Sequence, residues 1–215
     1  GKKKAYEFFA TQKNMYVMDI PNVHDESTLV TWKAEVKKLA AKIEEECGVT
    51  ITPERLKAAI HAINDKRRAL HRLADTRTAD PAPISCLYSL LTVQAAFMEE
   101  CCTGSRYYKL LVDESGETVD EMRDAFAERY FMFKCAVFTP NDQRMKDIVQ
   151  MAKDLHADGI VDVALQFCTL YEMESFAVEK AAEEAGIPFM HITTDYAGED
   201  AGQLQTRIEA FLETI

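Results

Sequence analysis

The chain has 215 residues, of which 47% are hydrophobic and 28% are charged, proportions typical of a globular protein with a buried core. Its net charge of −11 argues against nucleic acid and against an anionic membrane surface as partners. The sequence contains no apolar run long enough to span a bilayer and no apolar segment behind its lysine-rich start, which predicts a cytoplasmic protein.

The first half of the chain predicts one strand followed by three helices. Residues 15–20 form a short apolar strand that runs into a Pro-Asn turn. Helices follow at about 28–47, with Gly48 as the stop, and from Pro53 onward, where a preceding threonine provides the N-cap. After an Asp-Pro-Ala-Pro break, a largely apolar helix covers residues 84–98. The middle of the chain is therefore a helical block.

The second half alternates helices and strands. The predicted elements are a helix at 118–131, a strand at 133–138, a helix from Thr139 to Leu155, a strand at 160–167, a helix at 171–185 with Phe176, Ala177, Ala181 and Ala185 as its buried stripe, a strand at 188–192 and a helix at 201–214. The run 160–167 is almost continuously apolar, as is typical of a parallel strand covered on both faces. Strand–helix–strand connections build parallel sheets, so the pattern predicts an α/β fold.

Cys168 directly follows the strand at 160–167 and precedes a helix. Ligands of parallel α/β sheets lie beyond the carboxyl ends of the strands, and the N–H groups at a helix start stabilise a thiolate or an anionic cluster. The sequence therefore predicts a ligand-binding thiol at Cys168. The alternative that it leaves open is a small hydrophobic core residue.

Six cysteines without a secretory signal favour reduced thiols, metal ligation or redox chemistry over disulfides. Cys102 begins a Cys-Thr-Gly-Ser-Arg loop, whose glycine allows close backbone approach. Cys135 lies next to Lys134 in the predicted strand at 133–138. Each is a candidate ligand, although Cys102 is also compatible with an incidental turn thiol and Cys135 with a structural strand residue. The five histidines are too scattered to predict a metal site.

Several motifs together resemble one family. They are CTGSRYY at 102–108, TPND at 139–142, QFC at 166–168 and the ending from TDY at 194–196 to GQLQTRIEAF at 202–211. With them, nearly the whole chain resembles the 2-hydroxyacyl-CoA dehydratase and benzoyl-CoA reductase family. The resemblance implies an α/β fold of Rossmann-like parallel sheet domains with an intervening helical block. The implied domains are the end of a first Rossmann-like domain at 1–22, the helical block at 23–98 and a C-terminal Rossmann-like domain at 99–215.

The resemblance also implies an iron–sulfur cluster, either a single [4Fe–4S] cluster or a double cubane, in an oxygen-sensitive lyase. Cys102 and Cys168 match two cluster cysteines of the family, and Cys135 is a further candidate. The implied reaction uses one electron from an ATP-dependent activator protein. That electron reduces the thioester carbonyl of a 2-hydroxyacyl-CoA, and the resulting ketyl radical expels the hydroxyl group. The implied partners are a sister subunit or a second copy of the chain, the activator and the acyl-CoA.

The chain also departs from the family pattern. A third cluster cysteine is expected just before Gly1, and a further α/β segment of the family is expected between Met98 and Glu99, so we expect the chain to be incompletely represented. Two other functions stay open. One is a double-cubane reductase of the same family that acts on small molecules, and the other is a non-catalytic α/β partner subunit without a cluster.

Overall fold

A computed structural model of the chain describes residues 2–99, 111–195 and 197–215. Within these ranges the chain is helix-rich with a parallel two-stranded sheet, which is an α/β arrangement. The elements are α1 (Lys2–Phe9), α2 (Glu26–Cys47), α3 (Pro53–Thr76), α4 (Cys86–Glu99), α5 (Val119–Phe131), α6 (Asp142–Asp154), β1 (Ile160–Leu165), α7 (Thr169–Glu184), β2 (Phe189–Thr194) and α8 (Ala201–Leu212). The Rossmann-like topology and the three domain boundaries stay predictions. None of the helices in the described ranges combines the length and the apolar character that crossing a bilayer requires.

Local sequence signals set the helix ends in the first half of the chain. α2 begins after Asp25, whose carboxylate accepts the Thr28 N–H at 2.8 Å, while the Thr28 hydroxyl accepts the Asp25 N–H at 3.1 Å. It ends at Gly48, whose φ of 60° is the left-handed conformation that glycine adopts without strain. α3 begins with Pro53 at its first position. The helices predicted at 28–47 and from Pro53 are confirmed.

Two predicted strands are wrong. Residues 15–20 have no regular secondary structure, and residues 133–138 form an irregular segment that ends in a turn, where the Phe138 N–H donates to the Cys135 carbonyl at 3.0 Å. A strand needs a neighbouring strand to pair its backbone N–H and C=O groups. In the described part of the chain the only ladder joins β1 to β2, so apolar character alone does not make either segment a strand.

The described residues form two compact units, and the first takes its residues from 1–62 and 112–132. Its core consists of Ile60, Val112 and Met122, with Leu56, Ala125 and Phe126 packed against them. α2 and α5 are held together by the Trp32 indole N–H, which donates to the Ala127 carbonyl at 2.9 Å. This unit is therefore a helical assembly around a small apolar core.

The second unit takes its residues from 63–111 and 133–215 and contains the sheet. β1 and β2 run parallel, with Ile160 opposite Phe189 and Leu165 opposite Thr194. α7 connects the two strands and packs on both. The predicted strand–helix–strand unit is confirmed, and each end lies within two residues of its predicted position.

The predicted buried stripe of α7 is wrong. Ser175, Val178 and Ala182 are buried, whereas the side chain of Phe176 is 73% exposed. Ser175 faces the sheet, where its hydroxyl forms a hydrogen bond with the His191 imidazole at 2.9 Å. The side of α7 that faces the sheet therefore includes a polar contact as well as the apolar Val178 and Ala182.

β1 is covered on one face by the described residues, not on two as its apolar sequence predicts. Ala164 is buried, whereas Val161, Val163 and Leu165 are exposed. The residues that pair with Val161 and Val163 on β2, Met190 and Ile192, are buried. On this face of the sheet, the β1 residues are therefore exposed while their partners on β2 are covered.

Candidate functional site

Cys168 lies just beyond the carboxyl end of β1 and is the N-cap residue of α7. Its N–H donates to the Leu165 carbonyl at 2.9 Å, and its carbonyl accepts the Glu172 N–H at 3.1 Å. The thiol is partly buried, is not in a disulfide and makes no capping hydrogen bond. The predicted position of this thiol between strand and helix is thus confirmed, and its role as a ligand stays a prediction.

The turn before Cys168 is strained. Phe167 has a φ of 68°, and its side chain is 87% exposed. A left-handed conformation is uncommon for a bulky residue, and such strain concentrates at functional positions. The turn joins β1 to α7 within three residues, which leaves the Cys168 thiol beside the first turn of the helix, where N–H groups lack intrahelical partners.

Cys135 lies in the irregular segment after α5, and its side chain contacts α7. The Tyr171 side chain interacts with the Cys135 side chain. Burial is the main cause that raises the pKa of Tyr171 to about 12, and the negative charge of a Cys135 thiolate adds to it. The sulfur of Cys135 therefore already has a polar neighbour on the helix that Cys168 caps.

Three polar side chains hold the Cys135 segment against α7. Glu174 accepts hydrogen bonds from Arg144 Nη1 and from Asn141 Nδ2, both at 2.6 Å. The same Asn141 amide donates to the Cys135 carbonyl at 3.1 Å. The Arg144 guanidinium also lies 4.9 Å from the ring centroid of Tyr171. The first two turns of α7 thus position both described thiols of this unit.

Cys102, the other predicted ligand, lies outside the described residues. Among the residues that the structure describes, no three His, Cys, Asp or Glu side chains are grouped so that they could hold a metal ion. Iron–sulfur clusters are typically held by four thiolates. The position of Cys168 fits one such ligand, and the described residues do not by themselves provide a complete set.

The structure reveals a polar cluster around His191, to which the sequence analysis assigned no role. The Nδ1 atom lies 2.9 Å from both Asp162 Oδ2 and Ser175 Oγ. The Nε2 atom lies 3.2 Å from both Glu172 Oε2 and Thr193 Oγ1. The hydrogen bond from the Thr193 hydroxyl is the main cause that lowers the pKa of Glu172, and His191 contributes in the same direction.

The geometry of this cluster is that of a structural link. In a Ser-His-Asp nucleophile, the serine and the carboxylate contact opposite nitrogens of the imidazole. Here Ser175 and Asp162 both face Nδ1, so the cluster ties the sheet to α7 instead of activating the serine. The signal in the sequence is one ionisable residue inside each strand, and these two residues, Asp162 and His191, are paired in the sheet.

Comparison with known proteins identifies the family. Residues 1–99 and 97–215 match the profile of the family described as 2-hydroxyglutaryl-CoA dehydratase, D-component. The chain belongs to this family. The family predicted from the sequence motifs is thereby confirmed. The two matches overlap at residues 97–99, next to the position where a further family segment is expected between Met98 and Glu99.

Three relatives have names that refer to dehydratases. The chain is 30% identical over 278 residues to the putative dehydratase subunit YjiM of Escherichia coli (strain K12), covering 100% of this chain and 72% of that protein. It is 37% identical over 112 residues to the (R)-phenyllactyl-CoA dehydratase beta subunit of Clostridium sporogenes, covering 52% and 29% of the two chains. It is 28% identical over 122 residues to the (R)-2-hydroxyglutaryl-CoA dehydratase, subunit beta, of Acidaminococcus fermentans, covering 54% and 31%.

These comparisons point to a component of a 2-hydroxyacyl-CoA dehydratase. The alignment with the Escherichia coli protein is longer than the chain itself, so that protein contains residues that have no counterpart here. The chain spans less than a third of the length of the two beta subunits in their matches.

Proposed function

We propose that this chain is the iron–sulfur component of a 2-hydroxyacyl-CoA dehydratase and that Cys168 is a ligand of its cluster. The observation that carries the proposal is the position of Cys168, a partly buried thiol without a capping hydrogen bond, beyond a parallel strand and at the start of α7. The start of a helix favours a bound anionic group, and cysteine sulfur is the usual protein ligand of iron–sulfur clusters. The names of the relatives supply the reaction class.

Cys102 is proposed as the second ligand, on the strength of its family motif. Cys135 stays a candidate for a third. The Tyr171 side chain interacts with the Cys135 side chain, and its hydroxyl is a potential hydrogen-bond donor to the sulfur. Hydrogen bonds from the protein to ligating sulfurs tune cluster potentials. The contacts around Cys135 are therefore compatible with ligation, and we rank this thiol after the other two.

A bound cluster would supply one-electron transfer at low potential, the chemistry by which a 2-hydroxyacyl-CoA loses water through a ketyl radical. The residues of this chain would hold the cluster and keep its surroundings fixed. The pairing of Glu174 with Arg144 and the link between His191 and α7 fix the helix whose N-terminus carries Cys168. In this proposal an ATP-dependent activator delivers the electron, and a partner subunit completes the enzyme, as expected for relatives named as subunits.

The test is the iron and sulfide content of the chain prepared without oxygen. We expect the wild-type chain to bind iron and sulfide and to show the broad visible absorption of an iron–sulfur protein. Cys168→Ala is expected to lose most of this iron, because one of the few available thiolates is removed. Circular dichroism of each variant checks that its helices still form.

Cys47→Ala provides the matched control, because Cys47 is an exposed free cysteine at the end of α2 in the other unit. This variant is expected to keep the iron content of the wild type. Iron content that is unchanged in Cys168→Ala would remove Cys168 from the ligand set. A wild-type chain without iron or sulfide would instead support the non-catalytic partner subunit.

A further inference from the structure

A cavity of about 290 Å³ lies between α6, α7 and the irregular segment that contains Cys135. Its lining includes Ala136, the residue after Cys135, and Leu170, two positions after Cys168. The cavity therefore borders the two chain segments that carry the described candidate thiols of the second unit. We call it the narrow cavity.

The lining of the narrow cavity is mainly apolar. Phe138, Met145, Leu170 and Met173 supply its large side chains. Phe138 is buried, whereas Leu170 and Met173 are largely exposed, so the lining is apolar from its closed side to its open side. Small-molecule sites are typically concave and apolar with a few polar groups, and the narrow cavity has this character.

The charges of the narrow cavity disfavour an anionic ligand. Two carboxylates, those of Asp142 and Glu174, belong to its lining, and the described lining residues include no lysine, arginine or histidine. The Glu174 carboxylate is already paired with Arg144 at 2.6 Å. A carboxylate that entered the cavity would lose water and gain no cation in return, whereas a neutral apolar group would not have this cost.

The volume suits a compact side chain. An apolar protein cavity of about 150 Å³ holds a benzene molecule, so the narrow cavity has room for an aromatic ring or a branched aliphatic group. It shares Asp142, Met145 and Ala177 with a wider cavity of about 500 Å³ along α6 and α7. Lys146 and Lys180 line only the wider cavity. The remainder of a larger ligand can therefore extend past the narrow cavity toward these cations.

We propose that the narrow cavity holds the side chain of the acyl group and restricts the substrates to 2-hydroxyacyl-CoA thioesters with a neutral apolar side chain, either aromatic or branched aliphatic. This inference rests on the proposed function, in which the acyl group must lie close to the residues that hold the cluster. The position of the cavity beside the segments of Cys135 and Cys168 meets that requirement. Acyl groups that end in a carboxylate are excluded by the charges of the lining.

The test is the binding of two CoA thioesters to the full chain, prepared without oxygen and measured by calorimetry. Phenyllactyl-CoA carries an aromatic side chain, and 2-hydroxyglutaryl-CoA carries a carboxylate. The wild type is expected to bind phenyllactyl-CoA about tenfold more tightly or better. Ala177→Lys places a cation at an exposed position of the lining and is expected to abolish this preference.

Glu179→Gln is the control, because it changes the net charge by the same amount as Ala177→Lys and Glu179 lies on α7 outside the lining of both cavities. It is expected to keep the preference of the wild type, and circular dichroism checks the folding of each variant. Equal affinity of the wild type for the two thioesters overturns the proposal, and so does the absence of binding to either. A preference that survives in Ala177→Lys, or that is lost equally in Glu179→Gln, overturns it as well. Iron and sulfide are measured on the same samples, so the cluster proposal is judged separately.

Discussion

Replacing Glu174 with glutamine is expected to destabilise the second unit by about 3 kcal/mol. The substitution keeps the size of the side chain but removes the charge that faces Arg144 Nη1 at 2.6 Å. Only 14% of the Arg144 side chain and 13% of the Glu174 side chain are exposed, so the guanidinium would keep a partly desolvated and uncompensated charge. Breaking a buried pair costs about 3–5 kcal/mol and breaking an exposed pair about 0–1 kcal/mol. The small exposure places this pair near the lower end of the buried range.

The measurement is urea unfolding, followed by circular dichroism, with the free energy of unfolding taken from the midpoint and the slope. Glu184→Gln serves as a matched control on the same helix. Glu184 lies 3.9 Å from Lys180, and these two side chains are 71% and 66% exposed. Its replacement is expected to change the free energy of unfolding by no more than about 0.5 kcal/mol.

A double variant completes the test. Arg144→Met combined with Glu174→Met removes both charges, and its loss of stability is expected to be smaller than the sum of the two single losses. Additive losses would show that the two side chains do not interact in the folded chain. A loss for Glu174→Gln as small as that for Glu184→Gln would show that solvent screens the pair, and the reasoning from burial would be wrong.

The remaining predictions concern single residues. Gly159→Ala is expected to lose about 1–3 kcal/mol of stability, because the added Cβ would lie 2.8 Å from the Phe211 ring. Gly202→Ala is the control and should lose none, because no atom lies within 4 Å of the added Cβ; thermal unfolding compares the two variants. Folding raises the pKa of Tyr171 from 10.0 to about 12, so the free energy of unfolding is expected to fall as the pH rises from about 10 to about 12. The fall should be less steep in Tyr171→Phe, and an equally steep fall in the variant and the wild type would contradict this prediction. Thr118→Ala removes the N-cap of α5 and is expected to cost about 1 kcal/mol in urea unfolding.

The location of Cys168 could be predicted because it depends on local sequence. The apolar run at 160–167 ends directly before Cys168, and a helical pattern follows it. This order places the thiol at the end of a strand, whatever position that strand takes in the sheet. The surroundings of Cys135 could not be predicted in this way. Its segment looks like a strand by composition, but its conformation depends on Tyr171 and Glu174, which lie more than 30 positions away in the sequence.

The His191 cluster was missed for a related reason. The sequence shows one ionisable residue in each strand, but only the parallel register brings Asp162 next to His191. α7 then adds Ser175 and Glu172 to the same imidazole. Contacts of this kind depend on the rotation of a helix relative to a sheet, and apolar periodicity does not determine that rotation when one buried position is a serine.

The sequence by itself determined the helix end at Gly48, the helix start at Pro53, the order of β1, α7 and β2, and the family to which the chain belongs. These features follow from capping side chains, glycine conformation and short apolar runs, all of which act over a few residues. The tertiary structure alone decided which side of α7 is buried, which apolar residues stay exposed and which side chains surround the thiols. Those outcomes depend on which distant groups meet, because burial is a property of the assembled surface and not of any one segment.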